Sequence, residues 1–199
     1  MNINFVRSKF PGLDSGYIFM DNAGGSQILG RSVEHIKDYL INSNVQLGAS
    51  YRISALAGHR LEQVTSGIAE LINAEDSKEI IIGPTSTMLL RILSLCLSEE
   101  WKIGDEVIVT NTDHEANVSC WTDLEKRGII VKIWKVNPEN FQLEKRELKN
   151  LLTPKTKLVA VTHCSNILGT VNPIKEFAQI VHDAGALICV DGVAFAPHR

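Results

Sequence analysis

Residues 157–191 decide the fold: Lys157-Leu-Val-Ala-Val-Thr162, a helical pattern over Ile174–Asp183, then Ala186-Leu-Ile-Cys-Val190 running into Asp191. Short, nearly continuous apolar runs are typical of strands that are buried on both faces of a sheet. A helix between two such strands is the connection that a parallel pair requires. The segment therefore predicts a β-α-β unit that ends with a carboxylate at the tip of its second strand.

The same alternation extends toward the N-terminus. It predicts strands over residues 80–83, 106–110 and 129–134, and helices over 88–95, 116–126 and 143–152. Two more helices are predicted over 31–42 and 56–72, and a short strand over 17–20. The whole pattern predicts an α/β fold, with a largely parallel sheet and helices on both faces.

Composition and charge exclude several classes of function. The chain has 199 residues and a formal net charge of −3, which gives no electrostatic footprint for nucleic acid or an anionic membrane. No signal-peptide core or membrane-length apolar run occurs, and the four cysteines are widely spaced, so we expect reduced thiols and a cytoplasmic protein. Neither GxGxxG nor GxxxxGK[ST] is present, which disfavours a nucleotide-binding domain. No pattern predicts a metal site.

Two of the predicted strand-to-helix turns carry side chains suited to chemistry, because open parallel sheets bind ligands at the carboxyl ends of their strands. Thr85 and Ser86 open a helix, where hydroxyls and free N–H groups suit a phosphate, although the motif taken alone favours a simple N-cap. His114 follows the strand 106–110 and could stack on an aromatic ligand or move protons. The alternative for His114 is a capping or surface residue.

Two further strand ends complete the candidate site. Asn166 lies just beyond the strand 157–162, where its amide could bind a ligand oxygen or merely form a turn. Asp191 has no cation nearby in the sequence, and a desolvated carboxylate needs a charged partner such as a protonated ring nitrogen. A structural cap is the alternative for Asp191.

Taken together, the motifs resemble those of the class V, fold-type I pyridoxal-phosphate enzymes, the family of cysteine desulfurases, selenocysteine lyases and their relatives. The resemblance covers nearly the whole chain but only the N-terminal half of a typical member. The matching segments are Asp21-Asn-Ala-Gly-Gly25, Gly83-Pro-Thr-Ser-Thr87, Asp113-His-Glu-Ala-Asn117, Thr162-His-Cys-Ser-Asn-Ile-Leu-Gly-Thr170 and Val190-Asp-Gly192.

The resemblance implies a role for each candidate residue in binding pyridoxal 5'-phosphate. Thr85 and Ser86 would bind the phosphate, and His114 would stack on the pyridine ring and take part in proton transfer. Asn166 would lie near the phenolic oxygen and the substrate carboxylate, and Asp191 would pair with the protonated ring nitrogen. The implied organisation is an N-terminal segment, residues 1–50, lining the substrate side, and a cofactor-binding α/β domain over residues 51–199.

The chain departs from the family pattern in four ways. Ala194 stands where desulfurases usually carry a Gln, Ser86 follows Thr85 where Glu is common, and the tail after Gly192 resembles a desulfurase-like side branch. The Lys that forms the Schiff base lies about two dozen residues beyond the Asp in the family, in a segment that this chain lacks. The persulfide-forming Cys also lies in that half, so none of the four cysteines is assigned its role.

The resemblance implies removal of sulfur or selenium from an amino acid, or related aminotransferase chemistry, with the protein expected to be inactive as this chain alone. The alternative is a non-catalytic, truncated or split-subunit protein that keeps the fold and acts through a partner chain. A homodimer, or completion by another chain, is implied by the resemblance only.

Overall fold

The computed structural model describes residues 1–198. They divide into two compact units, Met1–Ile82 and a second unit that begins at Gly83. The first unit contains helices α1 (Ile3–Arg7), α2 (Gly30–Asn42) and α3 (Arg52–Ile72), with short 3-10 turns at Pro11–Ser15 and Ser77–Glu79. The predicted helices over 31–42 and 56–72 are thus confirmed.

The second unit alternates helix and strand. Its elements are α4 (Ser86–Ser98), β1 (Glu106–Thr110), α5 (Ser119–Thr122), β2 (Ile130–Trp134), α6 (Lys145–Leu151), β3 (Thr156–Thr162), α7 (Ile174–Asp183) and β4 (Leu187–Asp191). The four strands form one sheet in the order β2-β1-β3-β4, and every neighbouring pair is parallel. The predicted fold class is confirmed.

Helices cover both faces of the sheet because each central strand points apolar side chains in both directions. On one face, Ile108, Val159 and Val161 pack with residues of β2, α6 and α7 that include Trp134, Leu148 and Phe177. On the other face, Val107, Val109, Leu158 and Ala160 pack with Cys120, Trp121 and Leu124, and Leu90 and Leu97 of α4 lie against them. Two separate apolar clusters therefore sandwich the sheet.

Two predicted strands are wrong. Residues 17–20 and 80–83 form no strand, although Ile80 has extended backbone angles. A strand needs a neighbour that completes its hydrogen-bond ladder, and neither segment pairs with another within residues 1–198. Their apolar side chains are accordingly exposed, Ile81 to 73%.

The predicted helix over 116–126 is only partly correct. The segment consists of a 3-10 turn (Glu115–Asn117), the single turn of α5, and a second 3-10 stretch (Asp123–Arg127) that ends at Gly128 with a left-handed φ of 83°. Apolar spacing alone does not separate a tight 3-10 turn from an α-helical turn.

The strand order places a topological switch between β1 and β3. The chain leaves β1 for the outer strand β2 and then crosses to β3 on the other side. Connections on either side of such a point diverge and leave a crevice at the carboxyl ends of the strands. The loops after β1, β3 and β4 all lie at that edge.

The opposite edge of the sheet carries a buried ion pair. Glu106, at the start of β1, is 8% exposed and accepts hydrogen bonds from Lys132 Nζ at 2.7 Å and Thr153 Oγ1 at 2.6 Å. Burial alone would raise the pKa of Glu106, but the bonds from Lys132 and Thr153 outweigh it and hold that pKa below the ordinary value.

Candidate functional site

Three loops are joined at the carboxyl edge of the sheet. Ser165 Oγ, after β3, donates to the Thr112 carbonyl, after β1, at 2.8 Å and so bridges the switch point. The His163 N–H donates to the Asp191 carbonyl at 2.8 Å and continues the β3–β4 pairing into the loops. The backbones that carry His114, Asn166 and Asp191 therefore form one connected surface.

Asp191 ends β4 with one carboxylate oxygen in use. Its Oδ1 accepts the Val193 N–H at 3.0 Å, which is the structural cap that the sequence left open as an alternative. No donor to Oδ2 and no ion pair to Asp191 is present among residues 1–198. One oxygen is thus occupied by the turn, and the other is available to a ligand.

His114 also caps local structure. Its Nδ1 accepts the Ala116 N–H at 3.1 Å at the start of the 3-10 turn, which matches the capping alternative. This assignment leaves the proton on Nε2, and the side chain is exposed. The ring is held through Nδ1, and Nε2 remains available to a ligand.

Asn166 lies exposed in the turn after β3, and it does not form that turn. Ser165 does: its Oγ accepts the N–H groups of Ile167 at 3.3 Å and Leu168 at 3.2 Å. In the described part of the chain the Asn166 amide has no hydrogen-bond partner. The turn-forming alternative therefore does not account for this side chain.

Thr85 is the N-cap of α4. Its Oγ1 accepts the Met88 N–H at 3.1 Å, as a simple cap would, and its hydroxyl proton stays available for donation. Ser86 is the first residue of the helix, whose opening N–H groups have no intrahelical acceptor. α4 packs against the 3-10 turn that His114 caps, so this helix start belongs to the same unit as the loops.

Sequence reasoning missed a network of buried polar side chains beneath the loops. Asp113 is 8% exposed; it accepts hydrogen bonds from the Thr110 hydroxyl and from Asn117 Nδ2, the latter at 2.6 Å. Burial raises the pKa of Asp113, and the bonds from Thr110 and Asn117 oppose that rise. The available signal was the run Thr110-Asn-Thr-Asp113 directly after three apolar residues of β1.

Cys120 and Cys189 are not activated nucleophiles. Burial raises the pKa of Cys120 to about 11 and that of Cys189 to about 12. Thiolates are the reactive form, so both groups behave as buried apolar residues near neutral pH.

His163 stacks on Phe195 with ring centroids 3.6 Å apart, and burial lowers the pKa of His163. This stack links the loop after β3 to the segment after β4.

The Asp21–Gly25 turn lies in the first unit. There Asp21 Oδ1 accepts the Gly24 N–H at 3.2 Å, and all five residues are exposed. Of the helices in residues 1–198, none is long and apolar enough to cross a membrane. Nor do the described residues include a group of three or more His, Cys, Asp or Glu placed to hold a metal ion.

Comparison with known proteins adds independent findings. The family described as "Aminotransferase class-V" matches residues 18–199. The chain is 46% identical to the aminotransferase-like protein FGM3 of Gibberella zeae, over all of this chain and 50% of that protein. It is 36% identical to a probable cysteine desulfurase of Synechocystis, over 97% of this chain and 48% of that protein.

A cysteine desulfurase-like protein of Aspergillus flavus, ustD, is 33% identical over all of this chain and 46% of its own length. Among solved structures, the cysteine desulfurase CsdA of Escherichia coli superposes with a TM-score of 0.86 at 25% identity, covering all of this chain and 50% of that one. The chain thus spans about half the length of each of these relatives.

Proposed function

The chain belongs to the aminotransferase class-V family, and on that premise we propose that its second unit supplies the ring-binding and phosphate-binding part of a pyridoxal 5'-phosphate site. The family uses this cofactor, and the matched relatives include proteins named as cysteine desulfurases. The observation that carries the proposal is the unused Oδ2 of Asp191, at the carboxyl end of a parallel strand beside the His114 and Asn166 loops.

The residues present fit the cofactor in charge. No cation pairs with the Asp191 carboxylate, at the carboxyl edge of the sheet, in the described chain. A protonated ring nitrogen would satisfy this negative edge. At the start of α4, the Thr85 hydroxyl and the first N–H groups of the helix are donors suited to a phosphate.

Each residue has a proposed task. Asp191 would accept the hydrogen bond of the ring N–H and keep that nitrogen charged, while the His114 ring would cover the pyridine face and move protons at Nε2. The Asn166 amide would orient the phenolic oxygen and the substrate carboxylate, and Thr85 and Ser86 would bind the phosphate. Bound in this way, the cofactor supplies an electron sink for negative charge at the α-carbon of an amino acid.

We propose that the substrate is a small amino acid, and that the activity is removal of sulfur or selenium or related aminotransferase chemistry. The 199 residues do not contain the attachment Lys that the family resemblance implies. They are therefore proposed to bind and orient the cofactor, with no turnover by this chain alone. Residues 1–50 are proposed to line the substrate side, and residues 51–199 to bind the cofactor.

The test uses 4'-deoxypyridoxine 5'-phosphate, which lacks the aldehyde and so does not react with surface lysines. Calorimetric titration of the 199-residue chain should show binding, and Asp191→Asn should weaken it by about tenfold or more, because a charge-assisted hydrogen bond is lost. Asp183→Asn is the matched control, since Asp183 is an exposed carboxylate at the end of α7. No binding by the wild type, or equal binding by the two variants, would overturn the proposal.

A second candidate is a protein that acts through a partner chain, either a second copy or another subunit. It is favoured by the outer strand β4, where Leu187 is 51% and Val190 36% exposed. Unpaired strand edges with apolar side chains are sites of association. Sedimentation analysis of the purified chain should show association at micromolar concentration, and a stable monomer would exclude self-association as the explanation.

A further inference from the structure

The network of polar side chains beneath the site is buried among apolar side chains. Thr110 is 2%, Asp113 8% and Asn117 0% exposed, and Trp121 and Cys189, which adjoin them, belong to or pack against the apolar cluster on that face. Burying polar groups here is costly unless each one finds a partner. All three side chains have hydrogen-bond partners, so they form a fully satisfied network. Such a network favours a single arrangement of the groups that it joins.

The network reaches four elements through the Asn117 amide. Its Nδ2 donates to Asp113, and its Oδ1 accepts from Trp121 Nε1 of α5 at 3.4 Å and from the Cys189 thiol of β4 at 3.9 Å. Cys189 lies two residues before Asp191 on the same face of β4. The end of β1, the 3-10 turn, α5 and β4 are thus connected through one side chain.

His114 sits directly above this network. It follows Asp113 in the chain, and its carbonyl accepts the Asn117 N–H at 2.8 Å. Within residues 1–198, the one hydrogen bond of its ring is with the Ala116 N–H, in the same turn. The place of the exposed ring therefore depends on the buried residues on either side of it.

We infer that Asp113 is a positioning residue: through Thr110 and Asn117 it fixes the turn that holds the His114 ring relative to Asp191. The inference rests on the proposed function for what the ring contacts. Asp113 itself does not touch the ligand. Asp113 contributes by fixing the geometry of the site. This role requires a side chain of the same shape that accepts hydrogen bonds.

Two substitutions of Asp113 distinguish the loss of its hydrogen bonds from the loss of its charge. Asp113→Asn keeps an acceptor for Asn117, and its amide can donate to Thr110, so the network survives. Asp113→Leu removes the buried acceptor to which the Thr110 hydroxyl and Asn117 Nδ2 donate. Glu106→Gln is the matched control, because Glu106 is an equally buried carboxylate at the other end of β1.

The first measurement is made on the ligand-free chain. The ring nitrogens of His114 should give two well-separated ¹⁵N signals in the wild type and in Asp113→Asn, because one tautomer is held by the Ala116 N–H. In Asp113→Leu the signals should move together, while Glu106→Gln should leave them unchanged. Unaltered signals in Asp113→Leu would overturn the inference.

The second measurement is affinity for 4'-deoxypyridoxine 5'-phosphate. We expect about tenfold weaker binding by Asp113→Leu, and binding within about twofold of the wild type by Asp113→Asn and Glu106→Gln. Equal losses in Asp113→Asn and Asp113→Leu would show that charge matters rather than shape, and a loss in Glu106→Gln would show a general effect of stability. Either result overturns the inference.

Two outcomes need a further measurement: a variant that does not fold, and a wild type that does not bind the ligand. If Asp113→Leu does not fold, Thr110→Val removes, at constant shape, the hydroxyl that donates to Asp113 and accepts the Thr112 N–H, and about threefold weaker binding is expected; unchanged binding would count against the inference. If the wild type does not bind the ligand, the proposed function fails, and the ¹⁵N signals alone still decide whether Asp113 positions His114.

Discussion

At the position of Asp113, burying a neutral amide would cost less free energy than burying the carboxylate. Burial opposes its charged form and raises its pKa, and two hydrogen bonds only partly compensate. An acid whose pKa is higher in the folded state than in the unfolded state binds protons more tightly when folded. Its contribution to stability is therefore complete below the unfolded pKa and is lost as pH rises through the folded pKa.

Asp113→Asn should consequently stabilise the chain near neutral pH, by on the order of 1 kcal/mol. The difference in free energy of unfolding between variant and wild type should shrink as pH falls through the folded-state pKa of Asp113, which burial holds above the ordinary value of an aspartate. Urea unfolding at a series of pH values measures it. A difference that does not change with pH would contradict the assigned cause.

At the scale of the element, the residue that caps α4, Thr85, is also one of those proposed to bind a phosphate. Thr85 Oγ1 accepts the Met88 N–H, one of the four opening N–H groups that lack an intrahelical acceptor. The hydroxyl proton remains available to a second partner. Capping thus fixes the position of the group that would donate to a phosphate.

Thr85→Ala should destabilise the chain by about 1 kcal/mol, because the cap is lost, whereas Thr85→Ser should retain most of the stability. Thermal unfolding followed by circular dichroism compares the two variants with the wild type. Equal stability of Thr85→Ala and Thr85→Ser would show that the cap contributes nothing.

Elements of the second unit were predictable where local pattern decides them. β1 and β3 have apolar residues at their centres, and both formed where the sequence predicted. Residues 17–20 and 80–83 have strand-like composition, but strand formation depends on a neighbour that no local pattern reveals. The strand-end candidates followed from topology, whereas burial of Asp113 and Asn117 depends on packing that brings β4 and α5 over them.

At the scale of the whole molecule, the two units differ in their cores. The second unit contains both apolar clusters that sandwich the sheet. In the first unit, the described residues include only two buried apolar side chains, Ala57 and Ala69. Burial of apolar surface is the main source of stability, so the units should differ in resistance to local opening.

Hydrogen exchange should therefore be slowest for amides of β1 and β3 and much faster for amides of α2 and α3. Mass spectrometry of peptides from each unit measures this difference under native conditions. Equal protection of α3 and β3 would indicate that the two units open as one cooperative body.

The two roles proposed for each of Thr85, His114 and Asp191, a local hydrogen bond and a ligand contact, have an evolutionary consequence. Each one closes a local hydrogen bond with one atom and offers another atom outward. A lineage that stopped using the ligand would still lose stability by replacing them. These residues would persist after activity had gone, so their retention in a relative records the folding of the edge as much as its chemistry.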